Sequence, residues 1–367
     1  MAPPISAAAL RLLGLVLGLI LSFTENGGLA GAGPEAHTLG RDLYGFRPSK
    51  MFVFGDSYAD TGNTRKTLTS SWKEPYGITF PGKPAGRFSD GRVLTDYIAR
   101  FVGIKTPIPY RWMNVGPRRI QYGVNFAYGG TGVFQTSSSD PNMTAQIDFM
   151  QNLLNDGVYT WNDLQSSVAL VTLSGNDYAF FIANNNSTEA LQAFIPTVVN
   201  QLVANIQRVQ SMGLKKVVVS SLQPLGCLPR ITVETSYQSC NAAQNAAVQL
   251  HNLLLEQAVA KLNNNGTGKG STPYVVLDLY SSFMSVLQNN STQQESVKFR
   301  NPLKLCCAGT SSGAYCGTLG ADGEKMYTVC DEPEASFFWD TVHPTQEGWR
   351  AVYIALQATL KQNLLMS

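Results

Sequence analysis

Apolar positions along the chain fall into two kinds of run. Short continuous blocks occur at Met51–Phe54, Val168–Leu173, Val217–Leu222 and Tyr274–Leu279, with Gly123–Ala127 as a less uniform fifth. Blocks of this length, bounded by turn residues, read as strands buried on both faces. Between them the spacing becomes helical. Apolar residues recur at 93, 94, 97, 98 and 101 within Arg92–Phe101, and at Ile147, Met150, Leu153 and Leu154. A longer set runs through 191, 194, 195, 198, 199, 202, 203, 206 and 209 and stops at Gly213. Asn241–Leu262 and Trp349–Leu364 complete the helical stretches. Five strands alternating with helices predict an α/β fold, with helices on both faces of a parallel sheet. No repeat or flexible linker divides residues 33–367, which read as one domain.

Two other segments are not periodic. Residues 64–91 are rich in Pro and Gly and carry Arg65, Lys66, Lys73, Lys83 and Arg87. A loop this long inside a compact domain is usually functional. The segment 306–330 reads as a loop stapled by cysteines.

Composition narrows the class. The chain has 367 residues, 44% hydrophobic and 14% charged, with a net charge of +2. That describes a globular protein with a sizeable core, and the absence of a basic block leaves nucleic-acid binding without electrostatic support. Behind Arg11, Leu12–Leu21 has the length of a signal-peptide h-region and falls short of the roughly 20 residues a bilayer span needs. Ala30-Gly31-Ala32 offers a cleavage site, so residues 1–32 read as a signal peptide, with an uncleaved anchor as the alternative. Both place the chain in the secretory pathway: extracellular or cell wall, or the Golgi lumen if the segment is retained. Six cysteines (Cys227, Cys240, Cys306, Cys307, Cys316, Cys330) suit an oxidising compartment, and without C-x-x-C pairs they predict disulfides rather than zinc. They allow 15 connectivities; adjacent Cys306 and Cys307 are expected to take different partners. Glycosylation sequons stand at Asn142, Asn185, Asn186, Asn265, Asn289 and Asn290.

In a parallel sheet the carboxyl ends of the strands share one rim. Three of those ends carry Ser57, the Gly129-Gly130 pair and Asn176. A base is needed beside them, and the chain has three histidines. His37 reads as a solvated loop residue and His251, on a helical face, as structural. His343 differs, because Asp340 stands three residues earlier and can fix its tautomer. Ser57 and Asp56 could otherwise simply cap a helix, and Asp340 and His343 could be a solvated pair. Asp56 and Asp177 are better read as holding their own loops than as a glycosidase carboxylate pair. Three scattered histidines supply no metal site, and no cofactor is expected.

Taken together, Gly55-Asp56-Ser57, Gly130 in Asn125-Phe-Ala-Tyr-Gly-Gly130, Asn176 in Ser174-Gly-Asn-Asp177, and Asp340-x-x-His343 resemble, in order, the blocks of the SGNH/GDSL hydrolases, specifically the plant GDSL esterase/lipase branch. Further matches are Gly86–Val93, Pro224–Pro229, Cys306-Cys307 and Phe338–Pro344; Tyr58 departs from the namesake motif, which has Leu there. The resemblance implies a three-layer αβα, flavodoxin-like five-stranded parallel sheet. It implies a serine carboxylic-ester hydrolase with Ser57 as nucleophile, His343 as base and Asp340 orienting it. The backbone N–H groups of Ser57 and Gly130 and the Asn176 amide would form the oxyanion hole. The expected partner is an ester of a carbohydrate, lipid or metabolite, with no nucleic acid and no stable membrane span. The polar 64–91 loop and the lack of a hydrophobic lid helix favour small acyl groups such as O-acetyl on xylan-type polysaccharide. Fatty-acyl or specialised-metabolite esters, and acyl transfer to an alcohol, are alternatives within the class. A non-catalytic carbohydrate- or protein-binding member is the rival outside it.

Overall fold

The computed structural model describes residues 47–185, 188–265, 273–288 and 299–365. The expected signal peptide, His37, and the sequons at Asn186, Asn289 and Asn290 lie outside them. Six parallel strands form the main sheet: β1 (Lys50–Gly55), β2 (Ile108–Pro109), β3 (Val124–Asn125), β4 (Ser167–Thr172), β5 (Lys216–Ser220) and β6 (Tyr274–Leu277). Their order is β2-β3-β1-β4-β5-β6, which puts β1 and β4 in the middle. Met51 pairs with Val168 and Gly55 with Thr172 along the β1–β4 ladder.

Five of the strands are those the apolar blocks predict. The sixth, β2, escapes the pattern because it is two residues long and ends in Pro109, which lacks a ladder donor and sits at the sheet edge. The Gly123–Ala127 block is shorter as a strand than its sequence suggests. Asn125 turns its amide into the neighbouring loop, donating to Ala59 O at 2.7 Å and Thr61 Oγ1 at 2.9 Å. Leu279 belongs to a helix, since Asp278 caps it by accepting from Ser281 N at 2.9 Å.

Alternation along β1 explains the layers. Met51 and Val53 point to one face, where they meet α1 (Leu94–Phe101) through Leu94 and Ile98. Phe52 and Phe54 point to the other, against α2 (Met143–Asn155) through Ile147 and Met150. A short helix, α3 (Asn176–Asn184), leaves the rim after β4. Two long ones, α4 (Thr188–Ser211) and α5 (Ala242–Asn265), cover the Phe52 face. Finally α6 (Leu279–Leu287) and α7 (Gln346–Leu360) cover the Met51 face. Among the described residues no helix is long and apolar enough to cross a membrane.

The cysteines pair as Cys227–Cys240, Cys306–Cys330 and Cys307–Cys316. Cys306 and Cys307 do take different partners. The stapled segment also holds a small antiparallel pair, β7 (Cys307–Gly309) and β8 (Tyr327–Val329), too short to mark the sequence.

Phe54 is fully buried and stacks on Phe126 at a ring separation of 5.2 Å. Replacing it with Ala removes that contact and leaves a cavity, so Phe54→Ala is expected to cost about 3–5 kcal/mol of stability. Urea unfolding with the disulfides oxidised measures this; a loss below about 1 kcal/mol would contradict the packing.

Candidate active site

The turn after β1 is built around a backbone that only glycine fits. Gly55 has φ +139°, and a Cβ there would lie 1.9 Å from Thr172 O. Its N–H donates to Gln146 Oε1 at 2.8 Å and its carbonyl accepts from Gln146 Nε2 at 2.9 Å, fixing the strand end to α2. Asp56 and Ser57 follow. The Asp56 carboxylate accepts from Tyr58 N at 3.1 Å through Oδ1. Through Oδ2 it accepts from Ser174 N, from Ser174 Oγ at 2.6 Å and from Asn176 Nδ2 at 3.0 Å. It therefore ties the Ser57 turn to the loop after β4. Burial pushes its pKa up from 3.8 to about 6, against the opposing hydrogen bonds from Ser174 and Tyr58 and the charge of His343.

Ser57 and His343 meet across 286 positions of sequence: the hydroxyl donates to His343 Nε2 at 2.8 Å. On the far side, His343 Nδ1 donates to Asp340, 2.8 Å from each carboxylate oxygen. Ser57, Asp340 and His343 are 6%, 6% and 8% exposed. An ionised carboxylate only accepts, so it places the imidazole proton on Nδ1 and leaves Nε2 free to accept from Ser57. Burial alone would raise the Asp340 pKa. The His343 charge, its hydrogen bond, and bonds from Val342 N (2.9 Å) and the Tyr76 hydroxyl (2.7 Å) outweigh it and lower the value below 3.8.

Tyr76 was not marked by the sequence. It lies 264 residues from Asp340, in the 64–91 loop, with no local signal pointing to its partner. Burial, then the Asp340 charge, raises its pKa well above 10, so the phenol stays a donor. Phe88, from the same loop, packs its ring 5.1 Å from that of His343. Ser89 Oγ donates to Pro344 O at 3.0 Å, and Gln346 N to Asp90 Oδ1 at 2.6 Å. The long loop thus latches onto the segment that carries the histidine.

Gly130 adopts φ +76°, a left-handed turn suited to glycine. Its loop is held by Thr131 Oγ1, which donates to Tyr128 O at 2.7 Å, and by Tyr128 N, which donates to Gly55 O at 3.0 Å. Among the described residues the N–H groups of Ser57 and Gly130 have no acceptor. The Asn176 amide is engaged differently, donating to Asp56 Oδ2 and to Thr131 O, each at 3.0 Å. Both of its hydrogens are therefore taken within the protein.

Asp177 accepts from Val133 N and Phe134 N, each at 3.0 Å, so it holds a loop, as does Asp56. His251 is buried against Tyr178, whose hydroxyl lies 2.6 Å from Nδ1, and burial pushes its pKa down to about 4. Arg87 does not serve as an open cation of the 64–91 loop: it forms a two-point pair with Asp96, 2.9 Å at each contact, and is mostly buried. Of the described sequons, Asn185 and Asn265 are exposed, while Asn142 is half-buried and caps α2 through Ala145 N at 3.1 Å.

A family model described as GDSL-like lipase/acylhydrolase matches residues 51–356. The chain belongs to the GDSL-like lipase/acylhydrolase family. It is 55% identical over 347 residues to GDSL esterase/lipase At5g03610 of Arabidopsis thaliana, covering 94% of each chain. With GDSL esterase/lipase At3g09930 of the same plant it shares 53% over 323 residues, 87% of this chain and 90% of the relative. Among solved structures, LAE5, an alpha/beta hydrolase enzyme from the metagenome of Lake Arreo, aligns at TM-score 0.40 and 15% identity, covering 88% of this chain and 99% of that one. As a GDSL esterase/lipase, the protein is an ester hydrolase.

The low pKa of Asp340 has a stability consequence with a definite sign. Its folded value lies below the unfolded 3.8, so on acidification the unfolded chain takes up the proton first. The stabilisation is complete above the unfolded value and drains away as pH falls through the folded one. Unfolding free energies measured from about pH 5 down to about pH 2.5 should fall more steeply for the wild type than for Asp340→Asn. Parallel curves would contradict the depressed pKa.

Proposed function

We propose that the enzyme cleaves carboxylic esters through a covalent Ser57 acyl intermediate. The observation that carries this reading is the continuous chain from Ser57 Oγ to His343 Nε2 and from Nδ1 to Asp340, with 2.8 Å at each contact. Ser57 Oγ attacks the ester carbonyl carbon while His343 Nε2 takes its proton. Asp340 stabilises the imidazolium. The C–O bond to the alcohol then breaks, and the alkoxide leaves with the proton from His343. Water repeats the sequence in reverse: it gives a proton to His343, attacks the acyl carbon, and releases the acid as Ser57 regains its hydrogen.

Negative charge on the carbonyl oxygen is met by the free N–H groups of Ser57 and Gly130. Asn176 serves as the third donor by exchanging its Thr131 bond for the oxyanion. Losing one such donor costs roughly 10²–10³ in turnover.

We infer a small acyl group on a polar alcohol, of the O-acetyl type found on cell-wall polysaccharide. Support comes from the exposed polar stretch of the 64–91 loop, where Arg65, Lys66, Lys73 and Lys83 reach solvent. A second reading, a longer or aromatic acyl group, is favoured by one cleft of about 360 Å³. Phe134, Phe180, Phe181 and Phe194 line it beside Asp177. The reading takes residues 33–367 as one catalytic domain that follows a signal peptide into the secretory pathway. Three disulfides favour that compartment. Extracellular space or cell wall is the expected destination and the Golgi lumen the alternative, with glycans on exposed Asn185 and Asn265.

Purified wild type should release acetate from acetylated xylan and hydrolyse p-nitrophenyl acetate faster than longer p-nitrophenyl esters. Ser57→Ala should lower kcat by roughly 10⁴–10⁶, with Asp340→Asn near the lower end. Full turnover by Ser57→Ala would sink the mechanism, and a rate that climbs with chain length would favour the aromatic cleft.

A further inference from the structure

We propose that the cleft beside Gly130 holds the alcohol half of the ester, and that this half is a saccharide bearing a carboxylate. The inference rests on the ester-hydrolase reading and adds to it where the substrate sits and what charge it carries.

The cleft encloses about 320 Å³ between two loops, one contributing Thr64 and Thr69, the other Ser137, Ser139 and Asp140. That volume is at the small end of ligand sites. It meets the reacting centre twice. Gly130, with its free N–H, forms part of its wall, and so does Phe88, whose other contact is the His343 ring. A group bound there would lie next to the Gly130 N–H, with the Phe88 ring between it and His343, 5.1 Å from ring to ring.

The wall is rich in hydroxyls, and they are not all equally occupied. Thr64 Oγ1 donates to Asp60, Thr69 Oγ1 to Ser71, and Ser138 Oγ accepts from Asp140 N. The exposed hydroxyls of Ser137 and Ser139 have no protein partner among the described residues. They can give and accept bonds with the hydroxyls of a sugar, an exchange with water that an alkyl chain could not match.

Charge selects further. Arg65 Nε lies 3.2 Å from Asp140 Oδ1, so that pair cancels. Asp60, beneath the Thr64 turn, is fully buried and accepts from Gly62 N, Asn63 N, Thr64 N and Gly129 N. Lys66 and Arg111 remain, at 4.8 and 5.8 Å from the Trp72 ring, and neither forms an ion pair among the described residues. Neither lines the cleft; both border it behind Thr64, whose carbonyl accepts from the Trp72 indole N–H at 2.8 Å and from the Arg111 guanidinium at 3.1 Å. A neutral saccharide gains nothing from these cations; a carboxylate does.

The test compares KM for acetylated oligogalacturonide with KM for a neutral acetylated xylo-oligosaccharide. Measurements at about 20 mM and about 300 mM salt use wild type, Lys66→Gln, the double variant Ser137→Ala/Ser139→Ala, and Lys361→Gln as an exposed lysine outside the cleft. Wild type should favour the acidic substrate by roughly two- to fivefold at low salt. The preference should shrink at high salt and in Lys66→Gln, and persist in Lys361→Gln. The double serine variant should raise KM for both saccharides relative to p-nitrophenyl acetate. Equal KM values, a preference that ignores salt and Lys66, or acceleration only by anionic phospholipid vesicles would overturn the proposal. Hydrolysis of p-nitrophenyl acetate, which has no saccharide, and its loss in Ser57→Ala test the ester-hydrolase reading separately.

Discussion

Burying an imidazole between a carboxylate and a hydroxyl is the constraint from which the rest of the site follows. None of the three groups is tolerable alone in that position: an isolated buried carboxylate or imidazolium would cost several kcal/mol. Together they satisfy one another, and they join the first strand's turn to the segment before the last helix. The neighbouring bonds serve the same junction. Tyr58 donates to Val342 O at 2.8 Å and Tyr76 donates to Asp340 at 2.7 Å. The 64–91 loop, which has almost no regular structure of its own, is ordered by these contacts with the C-terminal segment.

Asp56 shows how the same rim tolerates an opposite solution. Asp340 is buried against the His343 imidazole, which donates to it, and its pKa falls; Asp56 is buried among Ser174, Tyr58 and Asn176 donors and burial raises its pKa to about 6. Between 3.8 and about 6 the native state holds the Asp56 proton more tightly than the unfolded chain, so its contribution to stability declines as pH rises. Asp340 acts in the opposite sense at lower pH. A single Asp56 oxygen, Oδ2, accepts from Ser174 and Asn176 at once. A neutral amide would offer donors where these donors already point.

What could be read from the sequence follows from what is local. Strands β1, β4, β5 and β6 are legible because parallel strands covered on both faces are apolar throughout, and Ser57 and Asn176 because they follow β1 and β4, while Gly130 follows the less uniform β3 block. Asp340 and His343 are three residues apart and mark themselves. Tyr76 and Asp340 are not, since nothing near either residue encodes a contact across 264 positions. Arg87 looked like a loop cation because its partner, Asp96, falls nine residues away in the first turn of α1, a spacing that no periodic rule flags. Cysteine pairing was limited by combinatorics rather than physics, apart from the separation of Cys306 from Cys307.

The loop from Gly129 to Phe134 lines both clefts, and its supports are the carboxylates of Asp60 and Asp177. Asp60 accepts from Gly129 N at 3.2 Å, at the hydroxyl-lined end, and Asp177 accepts from Val133 N and Phe134 N at the aromatic end. Gly132 lies between them, where a Cβ would approach Asp177 to 2.4 Å. Gly130 is therefore held between two anchors whose outer neighbours differ in chemistry: free serine hydroxyls on one side, stacked phenyl rings on the other. Changes in Ser137, Ser139, Phe181 or Phe194 can alter which ester fits without moving Gly130, because none of them bears on the anchoring bonds. Changes in Asp60 or Asp177 cannot, since each would release backbone that flanks Gly130 together with a wall of a cleft. The two clefts share one backbone here but are walled by different side chains.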